Sequence, residues 1–478
     1  MNKKTSKLYN SISYLILAGI AFLTTCVSPT LIKASEFENP DSSAFRYMGM
    51  LMAKGGVPYR DAFDNKGPLM YFIEFVGYIL GKKIGLYLVE FLFVFSFFLV
   101  SYIIIKRFVS GKIAVLTVIA AASPLGVFYM GNLTEEYSML FLALGILVFI
   151  DFFLFDKDSF WRIFICGTCF GAVLLIRANM AGMWPVFCIY VIVDQLKKNH
   201  KLPVKYISEF VLGSAAIIVP FVFWLFSKGA LPEFWKDYIV TNFAYAGGAA
   251  SLKGVLFCCI HFATVSYIEI YVIFLLFIIL KKENIAFNVV YIVFMLFNLY
   301  MSCMAGVVYD HYGMILIPSL IYPASVLVKY VLSLDFFKTG KYYVAIFLTL
   351  ISLVFFVFVY KNLIVFTEQI KNGEKVSTER TEVLNLINEY AGEDDRILVL
   401  GYDPQYYIDA DRLCSSKFYY YFFYDHYPDG TDAVIEDLNQ NLPKVVVCLN
   451  ASENMFLFEN YDKYEKVYQR GVWVLREE

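Results

Sequence analysis

Runs of about twenty apolar residues recur along this 478-residue chain, and no other feature constrains its fold as tightly. A run of that length matches the ~30 Å hydrocarbon layer of a bilayer, and a helix pairs every backbone group within itself there. Eleven such segments are read at 11–31, 84–105, 113–130, 136–155, 161–177, 182–196, 207–227, 255–280, 285–305, 313–333 and 342–364. Composition agrees: 59% of residues are hydrophobic and 17% charged, which excludes a soluble globular protein. The net charge of −2 gives no basis for binding nucleic acid. The expected fold is therefore a polytopic α-helical membrane protein.

Basic residues give the orientation. Lys106, Arg107 and Lys112, then Lys157 and Arg162, Lys197 to Lys205, Lys281 and Lys282, and Lys329 to Lys341 fall in alternate loops, in register with Lys3, Lys4 and Lys7. The opposite short loops, 131–135 and 306–312, hold none. The N-terminus is expected in the cytoplasm. The first apolar run resembles a signal peptide but reads better as a retained first span. An odd number of spans then puts the C-terminal tail outside a bacterial cytoplasmic membrane.

The chain divides in this reading into a membrane domain, 1–366, and a soluble extracytoplasmic domain, 367–478. The first outer loop, 32–83, carries an amphipathic stretch at 42–53, with Phe45, Met48, Leu51 and Met52 on one face, and an apolar stretch at 69–80 too short to span. A second outer loop, 228–254, holds Trp235, Tyr238, Gly247 and Gly248. In the tail, 396–403, 444–450 and 471–477 read as strands and 431–441 as a helix, a small α/β domain. Cys166 and Cys169 form a CxxC among small residues (CGTCFGA), where close helix packing is the plainer reading. Cys258 and Cys259 read the same way, and Cys414 and Cys448 in the tail are placed so that they could pair.

No GxxxxGK[ST], HExxH or GxSxG is present, so P-loop, zincin and α/β-hydrolase chemistry find no motif. What remains is a set of polar residues at the outer ends of the spans. Asp41 is either a helix cap with Ser42 and Ser43, or a general base or metal ligand at the bilayer edge. In PYRDAFDNKGPL, Arg60, Asp61, Asp64 and Lys66 form either a solvated turn or a grip on a phosphate, with Lys66 and Arg60 as its cations. Glu135 and Glu136 open a span, where acids also suit the helix dipole. Arg177 ends a span, where snorkelling is the alternative. Asp310, His311 and Tyr312 open another span. Glu269 falls near the middle of the 255–280 segment, about two turns from His261, and is either a functional carboxylate or a hydrogen-bonded core acid.

This pattern resembles the GT-C superfamily of integral-membrane glycosyltransferases, in the branch of the lipid A aminoarabinose transferases and protein O-mannosyltransferase-like proteins. The residues that carry the resemblance are Asp41, the G-x-PYRD-x-FD-x-KGPL-x-YF stretch from Gly56 to Phe72, Glu136, Arg177, His311, Tyr312 and Pro318, with an outer C-terminal domain. It covers nearly the whole chain. It implies Asp41 as catalytic base, Lys66 as ligand of the lipid carrier's phosphate, and Glu136, or Glu135 in its place, as contact for acceptor or metal. Two positions depart from the pattern. Ser42 follows Asp41 where O-mannosyltransferases usually carry paired acids, which counts against protein mannosylation, and Gly67 stands where Pro is commoner.

The implied activity is inverting sugar transfer, hexosyl or pentosyl, from a polyprenyl-phosphate donor to a cell-envelope glycan, lipid or protein. Arg60, Asp64, Lys66, Arg177, His311 and Tyr312 would bind substrate. Asp41 and Glu136 would share a divalent ion, Mg or Mn, if one is used. Tyr402, Asp403 and Tyr406 are candidates to touch the acceptor. The competing readings are a transporter or flippase of lipid-linked saccharides, for which Glu269 is the best support, and an inactive scaffold.

Overall fold

The structure, a computed structural model, describes residues 3–32, 40–109, 111–243, 251–335, 341–373, 377–401, 404–420, 430–448, 461–468 and 471–476. Gly247, Gly248, Tyr402 and Asp403 lie outside the described residues.

Every apolar run named above is helical. The chain opens with α1 (Lys3–Thr25), α2 (Pro40–Ala53), α3 (Pro68–Ile79) and α4 (Lys83–Ile105). Next come α5 (Lys112–Ala121), α6 (Leu125–Phe128), α7 (Thr134–Phe155), α8 (Phe160–Ile176), α9 (Met183–Asn199) and α10 (Val204–Ser227). After α11 (Leu231–Phe234) and a π-helical turn, Trp235–Val240, the helices are α12 (Leu252–Ser266), α13 (Ile268–Leu280), α14 (Ile285–Cys303), α15 (Ile317–Ser333), α16 (Lys341–Ile351) and α17 (Leu353–Asn372). Among the described residues seven helical segments are long and apolar enough to cross a bilayer, and eight if one bent pair is counted. Helices α3 and α8 and parts of α1 and α16 are apolar but shorter.

That bent pair corrects the sequence reading. The segment 255–280 is not one helix: α12 and α13 meet at 74°, with Tyr267 in the left-handed region (φ 57°) between them. Glu269 therefore lies in the first turn of α13 and is exposed, where its charge complements the helix N-terminus. The run 113–130 is likewise divided, into α5 and α6.

The chain folds into two compact units. The first comprises Met1–Ser28, Glu90–Phe221 and Ala246–Glu368. Its helices meet through small residues. A Cβ on Gly167 of α8 would stand 2.0 Å from the Phe210 carbonyl oxygen of α10, and one on Gly213 of α10 would stand 2.0 Å from the Phe164 oxygen. The small-residue reading of CGTCFGA holds: Gly167 and Gly171 let two backbones touch, and Ser214 Oγ donates to the Gly167 carbonyl at 3.0 Å. At α17, Asn362 donates to the Leu23 carbonyl of α1 at 3.0 Å.

The second unit comprises Pro29–Val89, Val222–Tyr245 and Gln369–Glu478, so the soluble tail packs with the first outer loop. Helix α2 lies on α3 closely enough that a Cβ on Gly49 would meet Glu74 Cβ at 2.6 Å. It is buried on every side from Ser42 to Leu51, not along the single stripe that 42–53 suggested, because the tail covers its other face. The tail contains α18 (Thr378–Tyr390), α19 (Gln405–Ala410), α20 (Gly430–Gln440), β1 (Ile397–Val399), β2 (Val445–Val447), β3 (Tyr464–Tyr468) and β4 (Val472–Leu475). The sheet order is β1-β2-β4-β3, with β1 and β2 parallel and the other pairs antiparallel. The three expected strands are present but shorter. Strand β3, an edge strand with exposed Glu465 and Lys466, had not been expected.

Candidate functional site

In the second unit the PYRDAFDNKGPL segment is a rigid turn between α2 and α3. Tyr59 takes a left-handed conformation (φ 70°), its N–H donates to the Ala62 carbonyl at 2.8 Å, and Phe63 N–H donates to the Lys417 carbonyl at 2.9 Å. The hydroxyls of Tyr59 and Tyr71, both fully buried, converge on the backbone of Lys66: each donates to its carbonyl, at 2.7 and 3.1 Å. Pro68 opens α3 immediately after, where its fixed φ suits the first helical position. The Lys66 ammonium donates to Asn65 Oδ1 at 2.6 Å and, among the described residues, makes no ion pair.

Asp64 is completely buried beneath this turn. Burial raises its carboxyl, Lys66 and the Asn65 N–H pull it part of the way back, the charge of Asp41 raises it again, and the net value is about 6. Asp41 and Lys66 therefore both lie within electrostatic reach of Asp64. Asp41 lies in the first turn of α2, half-buried. The Tyr419 hydroxyl reaches Asp64 at 3.5 Å and the Ala44 carbonyl at 3.4 Å.

Arg60 and Asp61 turn to each other instead. The Arg60 guanidinium makes two 2.7 Å bonds to the Asp61 carboxylate and a third, of 3.0 Å, to the Lys228 carbonyl. Burial pushes the Asp61 carboxyl up, but Arg60 and the Val57 N–H more than offset this and hold it below its usual value. Arg60 is committed to holding the turn, and its expected place on a phosphate does not fit that geometry. Tyr406, suggested as an acceptor contact, is buried with the Arg380 guanidinium 4.7 Å from its ring centre. Cys414 and Cys448 are not bonded to each other. Cys414 accepts the Tyr407 hydroxyl at 3.2 Å.

The first unit holds the remaining candidates in two clusters. At the start of α7, Glu135 pairs with Arg177, whose guanidinium lies 4.5 Å from the Tyr312 ring centre, and His311 packs edge-on to Tyr312 at 4.7 Å. Glu135, Arg177, His311 and Tyr312 are therefore neighbours. Asp310 is exposed and bonded to His261 Nε2 at 2.9 Å.

Glu136 points elsewhere. Its carboxylate accepts the Asn132 N–H at 2.7 Å and the Tyr129 hydroxyl at 3.3 Å, and both donors also serve Glu90, at 3.2 and 2.9 Å. Ser28 completes the set with a 2.7 Å bond to Glu90. Both glutamates are buried and fix the Tyr129–Asn132 turn, in which Asn132 is left-handed (φ 54°). Sequence reading missed Glu90, although an acid inside an apolar span is itself a signal. It also missed Tyr59 and Tyr71, since tyrosine in such a chain reads as an interface residue.

Residues 66–224 match the family model described as dolichyl-phosphate-mannose-protein mannosyltransferase. Among solved structures, ArnT from Cupriavidus metallidurans bound to undecaprenyl phosphate matches with a TM-score of 0.59 at 12% identity, over 87% of this chain and 86% of that one. The archaeal oligosaccharyltransferase AglB from Archaeoglobus fulgidus, in complex with an inhibitory peptide and a dolichol-phosphate, matches with a TM-score of 0.55 at 12% identity, over 93% of this chain and 70% of that one. No curated protein matches the sequence significantly. The resemblance to the GT-C superfamily is borne out at the level of the fold, and the chain is a multi-pass membrane protein of that architecture.

Proposed function

We propose that this chain is a polyprenyl-phosphate-sugar-dependent, inverting glycosyltransferase that modifies a cell-envelope glycan, lipid or protein at the outer face of the cytoplasmic membrane. The observation that carries this reading is Lys66. Its backbone is fixed by two buried tyrosine hydroxyls, and its ammonium makes no contact ion pair among the described residues, although its charge acts on buried Asp64. An ammonium that makes no direct ion pair in a partly desolvated turn is suited to a phosphate that arrives with a substrate. The matched family and both solved relatives handle lipid phosphates, undecaprenyl or dolichyl, by their descriptions.

In the proposed reaction an acceptor hydroxyl oxygen attacks the anomeric carbon. The bond from that carbon to the phosphate oxygen breaks, and its electron pair stays on the lipid phosphate, where Lys66 stabilises the charge. Asp41 takes the hydroxyl proton. A single displacement inverts the anomeric centre. Glu136 is buried among Tyr129, Asn132 and Glu90, and this reaction sequence gives it no step. No step is therefore assigned to a Mg or Mn ion shared by Asp41 and Glu136.

The test is transfer of radiolabelled sugar from polyprenyl-phosphate donors in membranes, comparing wild type with Asp41→Asn. Product from wild type alone supports the assignment. Equal product from both removes Asp41 from the chemistry, and no product with any hexosyl or pentosyl donor counts against the transferase reading.

A further inference from the structure

From Ala62 to Tyr71 every residue is buried except Asn65 and Lys66, which are half-buried. Their side chains are joined: Lys66 Nζ donates to Asn65 Oδ1 at 2.6 Å. That bond fixes how the Asn65 carboxamide lies. An ammonium can only donate, so the amide oxygen faces Lys66 and the NH2 group faces away from it. Among the described residues Asn65 Nδ2 donates to nothing.

The turn is held through the Asn65 main chain instead. Its N–H donates to Asp64 Oδ1 at 2.6 Å, and its carbonyl accepts Asn242 Nδ2 at 2.7 Å. Asn242 follows the π-helical turn Trp235–Val240 and also donates to the Tyr238 carbonyl at 2.6 Å, so a second segment of the same unit grips the Asn65 peptide. The Asn65 side chain is thus not needed to build the turn, yet it is placed against the cation. A carboxylate at this position would join Lys66 in a contact ion pair and repel an anion. A carboxamide tethers the ammonium, leaves its charge for a ligand and adds a neutral donor beside it. A phosphate has oxygens enough to accept from both.

We propose, on the reading of Lys66 as a ligand of the lipid phosphate, that Asn65 is a second ligand of that phosphate: Asn65 Nδ2 donates to one phosphate oxygen while the Lys66 ammonium donates to another. A carboxamide that served only as a tether would have the opposite effect, because removing it would free the ammonium and leave phosphate binding equal or tighter.

The test is titration calorimetry of the full chain in detergent with a polyprenyl phosphate and with the matching polyprenol, which lacks the phosphate. Wild type should prefer the phosphate. Asn65→Ala, which keeps both main-chain bonds, should bind the polyprenyl phosphate about tenfold more weakly, the low end for a hydrogen bond to a charged group, with polyprenol binding unchanged. Asn65→Asp keeps the shape and the tether but exchanges the donor for a negative charge, and should lose the preference altogether. Wild type without a preference removes the reading of Lys66 and the role of Asn65 together. A preference that is lost in Lys66→Ala but survives in Asn65→Ala or Asn65→Asp overturns the role of Asn65 alone. So does an equal loss of both lipids in Asn65→Ala, which would mark a disturbed turn.

Discussion

Tyr59 and Tyr71 direct their hydroxyls to one carbonyl, that of Lys66, and this explains how a flexible side chain acquires a fixed root. Only the terminal carbons of Lys66 remain to be ordered when a phosphate binds, which reduces the entropy lost. Lys66→Ala should therefore weaken donor binding roughly 10- to 100-fold, the range for one charge-assisted contact. Titration calorimetry with a polyprenyl phosphate reads this directly, and unchanged affinity would remove Lys66 from the site. Asp64 makes a second prediction. Its carboxyl is raised to about 6 from an ordinary 3.8, so the folded unit holds the proton more tightly than the unfolded chain. Its stabilising share is complete below about pH 4 and is lost as pH rises through 6, by about 3 kcal/mol in all. Asp64→Asn should flatten the fall in melting temperature between those values, and an unaltered slope would refute the assignment.

At the level of elements, the spans were legible because an apolar run of the right length has few alternatives in a bilayer. What escaped was local. The break at Tyr267 carries no Gly or Pro, and its one signal, Ser266 and Glu269 spaced as at a helix start, lies inside an apolar run that reads as continuous. Glu90 was hidden in a run that otherwise reads as continuous hydrocarbon. Strand β3, YEKVY, pairs on one side only and keeps its charges outward, so it reads as loop. That α8 packs closely on a neighbour was legible, since small residues spaced as in CGTCFGA admit close approach, although α10 as that neighbour was not. There a Cβ collides with a carbonyl oxygen that cannot rotate away. Gly167→Val should thus cost roughly 1–3 kcal/mol or more by overpacking. The readout is thermal unfolding in detergent, and a silent variant would mean the helices do not touch there. Glu90→Ala should cost roughly 1–3 kcal/mol, because the Ser28 hydroxyl loses an acceptor in a buried setting and Tyr129 keeps only its longer bond to Glu136. If Glu90→Ala melts like wild type, the Glu90–Glu136 network is not what fixes the Tyr129–Asn132 turn.

For the molecule as a whole, the question is what the soluble tail is for. Its sequence suggests a separate α/β domain waiting for an acceptor, but its contacts say it is part of the unit that carries Lys66. The Tyr419 ring stacks on Tyr47 of α2 at 4.2 Å, Phe418 lies 5.4 Å from Phe63, and the Cys414 N–H donates to the Tyr47 hydroxyl at 3.0 Å. Asp411 pairs with Lys54 and Lys82, and Lys417 reaches buried Asp237 at 3.0 Å. Removing the tail would expose the buried face of α2 and leave Asp237 without its cation, a combination that ranks among the costlier losses a fold can suffer. A chain ending after Asn372 should accordingly insert into membranes yet lose donor binding, although Lys66, Asp41 and every span are intact. Tyr47→Phe, which removes only one buried hydrogen bond, should show the same defect in miniature, about 1–3 kcal/mol of stability. Polyprenyl-phosphate binding by the truncated chain decides the matter: full affinity would make the tail a separate acceptor module, whereas its loss makes the tail the wall against which the Lys66 turn is built.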